Sequence, residues 1–191
     1  ASFQPTTIEY SGYGIYGNHL STNESLTIAN STVRNNGQGI KNAGWSGTGT
    51  ISITDSLIVD NYGGGISGDS DYDNWIITGN TITDNGDAGI RLNDPDVVTV
   101  SDNVISDNAS GAIFRYTDGL TLTDNTITGN GDGVRVYGEY TSVNIGSNTI
   151  SDNEGRGLEL SNIYANAISI TDNTLTNNGW TESGIYLRQS S

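Results

Sequence analysis

The sequence predicts an all-β solenoid: one parallel β-helix domain of about seven to eight coils, 22–25 residues each, with three short strands per coil. Three observations carry this. Asn36, Asn61, Asn85, Asn108, Asn130, Asn153 and Asn178 recur at steps of 25, 24, 23, 22, 23 and 25 residues, and a fixed period in this range marks a stacked-repeat architecture. Three apolar rows recur in the same frame. No segment holds a 3.6-residue period, and Gly or Asn interrupts every unit, which excludes helical repeats.

The first strand of each coil reads from the pairs Leu26/Ile28, Ile51/Ile53, Trp75/Ile77, Val98/Val100, Leu120/Leu122, Val143/Ile145 and Ile168/Ile170. Their i, i+2 spacing is that of a strand with one buried face. The second strand centres on Val33, Ile58, Ile82, Ile105, Ile127, Ile150 and Leu175, each three residues before an asparagine of the row. The third follows a glycine and begins at Ile15, Ile40, Ile66, Ile90, Ala112, Val134, Leu158 and Ile185. Strands that pair with their equivalents one coil away rise about 4.8 Å per coil, so the regular coils 15–187 form a rod roughly 35–40 Å long. Residues 1–14 are expected as an atypical N-terminal coil or cap, and 188–191 as a tail. The asparagine row, and a second row of Ser31, Ser56, Asn80, Asn103, Asn125, Asn148 and Asn173, are expected at the tight corners. Asparagine tolerates the left-handed region there, and stacked amides can hydrogen-bond along the rod.

Composition narrows the partners. Lys and Arg total 7 against 22 Asp and Glu, a formal charge of −15. Phosphate neutralisation needs clustered cations, so neither nucleic acid nor an anionic lipid surface fits. Asp outnumbers Glu, as expected of a turn-rich fold and equally of a halophilic protein kept soluble in high salt. There are no cysteines, which excludes thiol chemistry and disulfides, and no apolar run long enough for membrane insertion. The chain begins at Ala1, as a mature secreted protein or an excised domain would.

Segments such as LTLTDNTITGNGDGVRV and ISITDNTLTNNG resemble the right-handed parallel β-helix repeats of the pectate-lyase-like superfamily, closest to its NosD-like, carbohydrate-binding and sugar-hydrolase repeats. The resemblance covers roughly residues 8 to 187 and implies a right-handed helix. It leaves activity open, because the superfamily spans polysaccharide lyases, hydrolases, epimerases, tailspikes and non-catalytic surface proteins, and function on a shared fold rests on a site.

Four candidate sites follow. The outward face of the third strand should carry Tyr16, Lys41, Ser67, Arg91, Ile113 or Arg115, Arg135, Glu159 and Tyr186. Arg can pair bidentately with a carboxylate, so Tyr16, Lys41, Arg91, Arg135, Glu159 and Tyr186 form a glycan-binding stripe suited to an acidic polysaccharide or cell-surface glycan; the competing reading is a self-neutralised, soluble β surface. Asp69, Asp71 and Asp73 offer hard oxygen ligands at a spacing Ca²⁺ accepts, although the Gly and terminal Glu of an EF-hand loop are absent and a solvated acidic loop competes. For catalysis, Asp132 and Glu159 beside Arg135 are the nearest approach to a carboxylate pair, and His19 is the only histidine. The superfamily's epimerase motif Asp-Pro-His is met only by Asp94-Pro95-Asp96, without its histidine. Finally, neither end shows a capping helix, and exposed solenoid ends invite head-to-tail self-association. The expectation is an extracellular structural or adhesive module of a surface protein, fibre, filament or spike, acting as a homo-oligomer or filament. The alternative is a lyase, epimerase or hydrolase of a uronic-acid polysaccharide.

Overall fold

In a computed structural model, which describes residues 1–18, 24–43, 49–69, 74–179 and 184–188, the chain is a parallel β-helix. His19, Asp71 and Asp73 lie outside the described residues. All paired strands are parallel, and each joins its counterpart one coil away. The first sheet stacks Ser2–Phe3, Ser25–Ala29, Thr50–Thr54, Asn74–Thr78, Val97–Ser101 and Gly119–Thr123. The second stacks eight three-residue strands, from Thr7–Glu9 to Thr174–Thr176. The third runs from Tyr13–Gly17 through Gln38–Asn42, Ile66–Asp69, Ala88–Asn93 and Ser110–Arg115 to Ile185–Arg188. Two long strands, Val134–Gly146 and Leu158–Thr171, pass from the third sheet into the first without a break and join them.

Apolar alternation sets the register. Ile51, Ile53, Ile58, Ile66, Ile77, Ile82 and Ile90 are fully buried, and the aliphatic rows meet in one continuous core. Where a coil departs from aliphatic filling, its neighbour compensates. Trp75 takes the first-row position and is 1% exposed. Its indole occupies the space beside Gly68, where any Cβ would lie 2.5 Å from Trp75 Cζ2. From Gly14 to Gly157 the glycine that opens the third strand is also required by packing, as where a Cβ at Gly111 would meet the Gly133 carbonyl oxygen at 2.4 Å; Gly184, before the last third strand, has open space around it. Residues 1–14 contribute strands in register with the next coil: Phe3 opposite Ile28, and Ile8 opposite Val33.

Both asparagine rows form continuous ladders. Asn36, Asn61, Asn85, Asn108, Asn130 and Asn153 each donate their side-chain amide to Oδ1 of the next, at 2.8–3.1 Å. The same Oδ1 also accepts the main-chain N–H of the donating asparagine one coil earlier. The second row runs likewise from Asn80 to Asn173, with Ser31 and Ser56 leading into it through main-chain donors to hydroxyl and amide oxygens. From Ser31 to Asn148 in one row and from Asn36 to Asn153 in the other these side chains are buried, and pairing them removes the cost of unsatisfied amides.

One expectation is corrected. The ladder asparagines do not occupy the left-handed region; the residue before each one does. Asn35, Asp60, Asp84, Asp107, Asp152 and Asn177 precede one row at φ of 54–56°, and Asp55, Asp102, Asp124 and Asp172 precede the other at 48–58°. Gly79 and Gly129 fill the same place at φ 68°. The physical reason is division of labour at the corner. The ladder residue must aim its amide inward along the axis, so the reversal falls on its outward-pointing predecessor. Asp tolerates that conformation, and nine of the fourteen aspartates among the described residues adopt it. The corners thus account for much of the excess of Asp over Glu.

Candidate functional site

The third sheet carries the stripe in the expected register. Tyr16 pairs with Lys41, Lys41 with Ser67, Ser67 with Arg91, Arg91 with Ile113, Ile113 with Arg135, Arg135 with Glu159 and Glu159 with Tyr186. Of the two alternatives for its fifth rung, Ile113 holds the position and is 3% exposed. Arg115 falls two residues on, between Asn93 and Tyr137. The stripe is therefore interrupted by a covered apolar residue.

Its charges face one another. Lys41 Nζ lies 3.2 Å from Asp69 Oδ2, and Arg91 Nη2 lies 2.8 Å from Asp87 Oδ1. Arg135 pairs with Asp132 and lies 3.5 Å from Glu159 Oε2, close enough for charge attraction but not aligned as a hydrogen bond. Arg156 Nη1 reaches the same Glu159 oxygen at 3.1 Å, with its guanidinium 4.2 Å from the Tyr186 ring centre. The three residues proposed for acid–base work, Asp132, Arg135 and Glu159, are thus brought together, with Arg135 between the two carboxylates. Glu159 is 6% exposed and also accepts hydrogen bonds from Tyr137 Oη at 3.3 Å and Ser161 Oγ at 3.2 Å. Burial pushes the Tyr137 phenol above its ordinary value; Arg135 opposes the shift and Glu159 adds to it.

Asp69 accepts a 2.6 Å hydrogen bond from Asn93 Nδ2 beside its ion pair with Lys41. With Asp71 and Asp73 outside the described residues, Asp69 alone of the proposed Ca²⁺ ligands can be located. Among the described residues no group of three or more carboxylate or imidazole side chains is gathered to hold a metal ion.

Sequence reasoning missed an aromatic corner beyond the stripe. After the third sheet, Arg115, Tyr116, Tyr137, Glu139, Asn162 and Tyr164 line an open cleft of about 430 Å³. Tyr116 sits at φ 51°, Gly138 at φ 103° and Asn162 at φ 55°. The pairing between the two long strands shifts register between Tyr137 and Glu139, bringing Tyr164 opposite Glu139. Arg115 stands over the Tyr137 ring at 5.7 Å from its centre. Below the corner, Tyr140 is buried, and its hydroxyl donates to the Phe114 carbonyl at 2.9 Å. Four tyrosines between positions 116 and 164 were a sequence-level hint, but only the bulge gathers three of them at one corner.

Comparison with known proteins bears on the fold. No curated protein and no solved structure matches the chain. A family profile described as "Right handed beta helix region" matches residues 45–191, more than half of the sequence. With its parallel coils and stacked corners, the chain belongs to the right-handed β-helix family.

Proposed function

We propose that this β-helix is a non-catalytic structural or adhesive module of an extracellular surface protein, fibre or spike. The observation that carries the reading is the self-neutralised third sheet. Lys41, Arg91, Arg135 and Arg156 each face a carboxylate of the same chain. A lyase or epimerase needs cations and a base that are free to engage a substrate uronate; here Glu159 is enclosed by two guanidinium groups, a phenol and a hydroxyl. A rigid rod with two hydrogen-bonded spines suits a load-bearing or presenting role.

Self-association through the rod's late end belongs to the same proposal. Ile168, Ile185 and Leu187 are 49%, 43% and 66% exposed there, beside a cavity of about 300 Å³ lined by Leu160, Ile163, Ile168, Ile170 and Leu187. In this proposal these apolar side chains pack against another parallel coil, which a second copy would supply by a heterologous, propagating contact.

Incubation with uronic-acid polymers, following unsaturated products and reducing ends, tests the absence of turnover. Product formation lost in Arg135→Ala or Glu159→Ala would overturn the structural reading in favour of the lyase or hydrolase. Light scattering and negative-stain microscopy over a concentration series test association. The expected result is end-to-end growth lost in the double variant Ile168→Lys, Leu187→Lys; a monomer at every concentration would exclude it.

A further inference from the structure

We propose that the aromatic corner formed by Tyr116, Tyr137 and Tyr164 is a binding site for a neutral oligosaccharide. This deepens the adhesive reading by assigning it a ligand class, and places recognition beyond the charged stripe.

The corner departs from the regular coil in a way that packing does not require. At the equivalent position in the preceding coil, Asp94 takes the left-handed conformation at φ 53°, as short polar residues do. Tyr116 holds the same conformation with a bulky ring, at a conformational cost, and leaves that ring 58% exposed. Neither core packing nor turn chemistry calls for a tyrosine there. The next coil makes room for it: a Cβ on Gly138 would lie 2.4 Å from Tyr116 Cδ1. Tyr164 is 49% exposed on the coil beyond.

The surroundings fix the geometry. Tyr137 is held by its hydrogen bond to Glu159 on the next coil and flanked by the Arg115 guanidinium from the preceding one. Tyr140, through its bond to the Phe114 carbonyl, ties the bulged segment to the coil beneath. Rigid aromatic groups held in place before binding lose little entropy on contact.

The ligand class follows from the lining. Tyrosine rings offer apolar faces with polar edges, matching the C–H face of a pyranose and its hydroxyl rim. Asn162 supplies an amide donor and acceptor, Glu139 an acceptor and Arg115 donors. A cleft of about 430 Å³ lies within the range of small-ligand sites. A polyanion is disfavoured by the chain's charge of −15, and an apolar ligand would leave the polar lining unpaired.

The test is calorimetric titration and saturation-transfer NMR on the full chain. The probes are neutral oligosaccharides of three to six units: gluco-, manno-, galacto-, xylo- and N-acetylglucosamine oligomers. Tyr116→Gly removes the ring and accepts the left-handed backbone, so it should fold as the parent does, and Tyr164→Ala removes the second exposed ring. The expected result is binding of at least one neutral series, weakened about tenfold or more by each variant, with the melting temperature of Tyr116→Gly unchanged. Binding of no neutral series would overturn the proposal, as would binding indifferent to both substitutions. Binding of uronate oligomers alone, lost in Arg135→Ala and retained in Tyr116→Gly, would overturn the corner site while leaving an adhesive stripe standing.

Discussion

Asn108 Oδ1 accepts two hydrogen bonds from Asn85, one from its side-chain amide at 2.9 Å and one from its main-chain N–H at 3.0 Å. The Asn108 amide in turn donates to Asn130 Oδ1, Ile82 O and Ser106 O. One side chain thereby joins three coils. Asn108→Ala leaves the buried Asn85 main-chain N–H without its acceptor, at about 1–3 kcal/mol. It also removes one further bond each from the Asn85 amide, which keeps Ile58 O and Thr83 O, from Asn130 Oδ1, which keeps the main-chain N–H of position 108, and from the Ile82 and Ser106 carbonyls. A total loss of about 2–4 kcal/mol is therefore expected in denaturant unfolding. Asn108→Asp keeps the acceptor but sets a charge against Asn130 Oδ1. Burial and the facing acceptor raise that carboxyl's pKa, so its penalty is largest at neutral pH and shrinks as pH falls and the group protonates.

The corners give a second expectation. Gly129 has φ 68°, and a Cβ there would lie 2.7 Å from Asp107 Oδ1. Gly129→Ala should cost about 1–2 kcal/mol. Asp102, at φ 58°, tolerates glycine to within about 1 kcal/mol, because relief of strain offsets the freer unfolded chain. Valine at the same place should be the worst of the three. Thermal melts of this series, ranked Asp102→Gly, Asp102→Ala, Asp102→Val, check the assignment; a flat ranking would contradict it.

Glu159 supports a third. Its side chain is enclosed by Arg135, Arg156, Tyr137 and Ser161. Glu159→Ala leaves two guanidinium groups facing each other, and because both are partly solvated the cost should be about 2–3 kcal/mol, below that of a fully buried pair. Glu159→Gln, which keeps hydrogen bonding without charge, should lose roughly half of that. Equal melting temperatures for both variants and the parent would refute the hub.

Alkaline pH offers a fourth. Burial pushes the Tyr140 phenol well above its ordinary value of 10.0. The folded state therefore holds this proton more tightly than the unfolded state. The stability it contributes is complete below pH 10 and is lost as pH rises from there toward the folded pKa. Tyr140→Phe removes the hydrogen bond to Phe114 O, costing about 1 kcal/mol at neutral pH, and should flatten the decline above pH 10. Unfolding curves from pH 8 to 11.5 distinguish the two slopes.

How much of this was legible in the sequence depended on periodicity. The stripe from Tyr16 to Tyr186 was readable because strand alternation and near-constant coil length fix register independently of side-chain detail. The ladders were readable because identical residues recur at one place in every coil. The residue that turns each corner was assigned one position late, since Asn and Asp share the tolerance and adjacent positions compete. The mutual pairing of Lys41, Arg91 and Arg135 with nearby acids was offered as one of two readings; side-chain geometry was needed to locate the partners. The aromatic corner stayed hidden because it arises where the repeat fails, at the bulge between Tyr137 and Glu139. A period-based alignment averages such a feature away.

The ladders also give the rod a direction. Every amide link between Asn36 and Asn178 donates toward the later coil, and the links from Asn80 to Asn173 do the same. The two spines are thus one-way chains of aligned amide dipoles, which reinforce one another as peptide dipoles do in a helix. A coil added at the late end must offer acceptors, and one added at the early end must offer donors. Head-to-head joining sets like against like, so the molecule has a built-in arrow, and any assembly extending it through its spines inherits that vector.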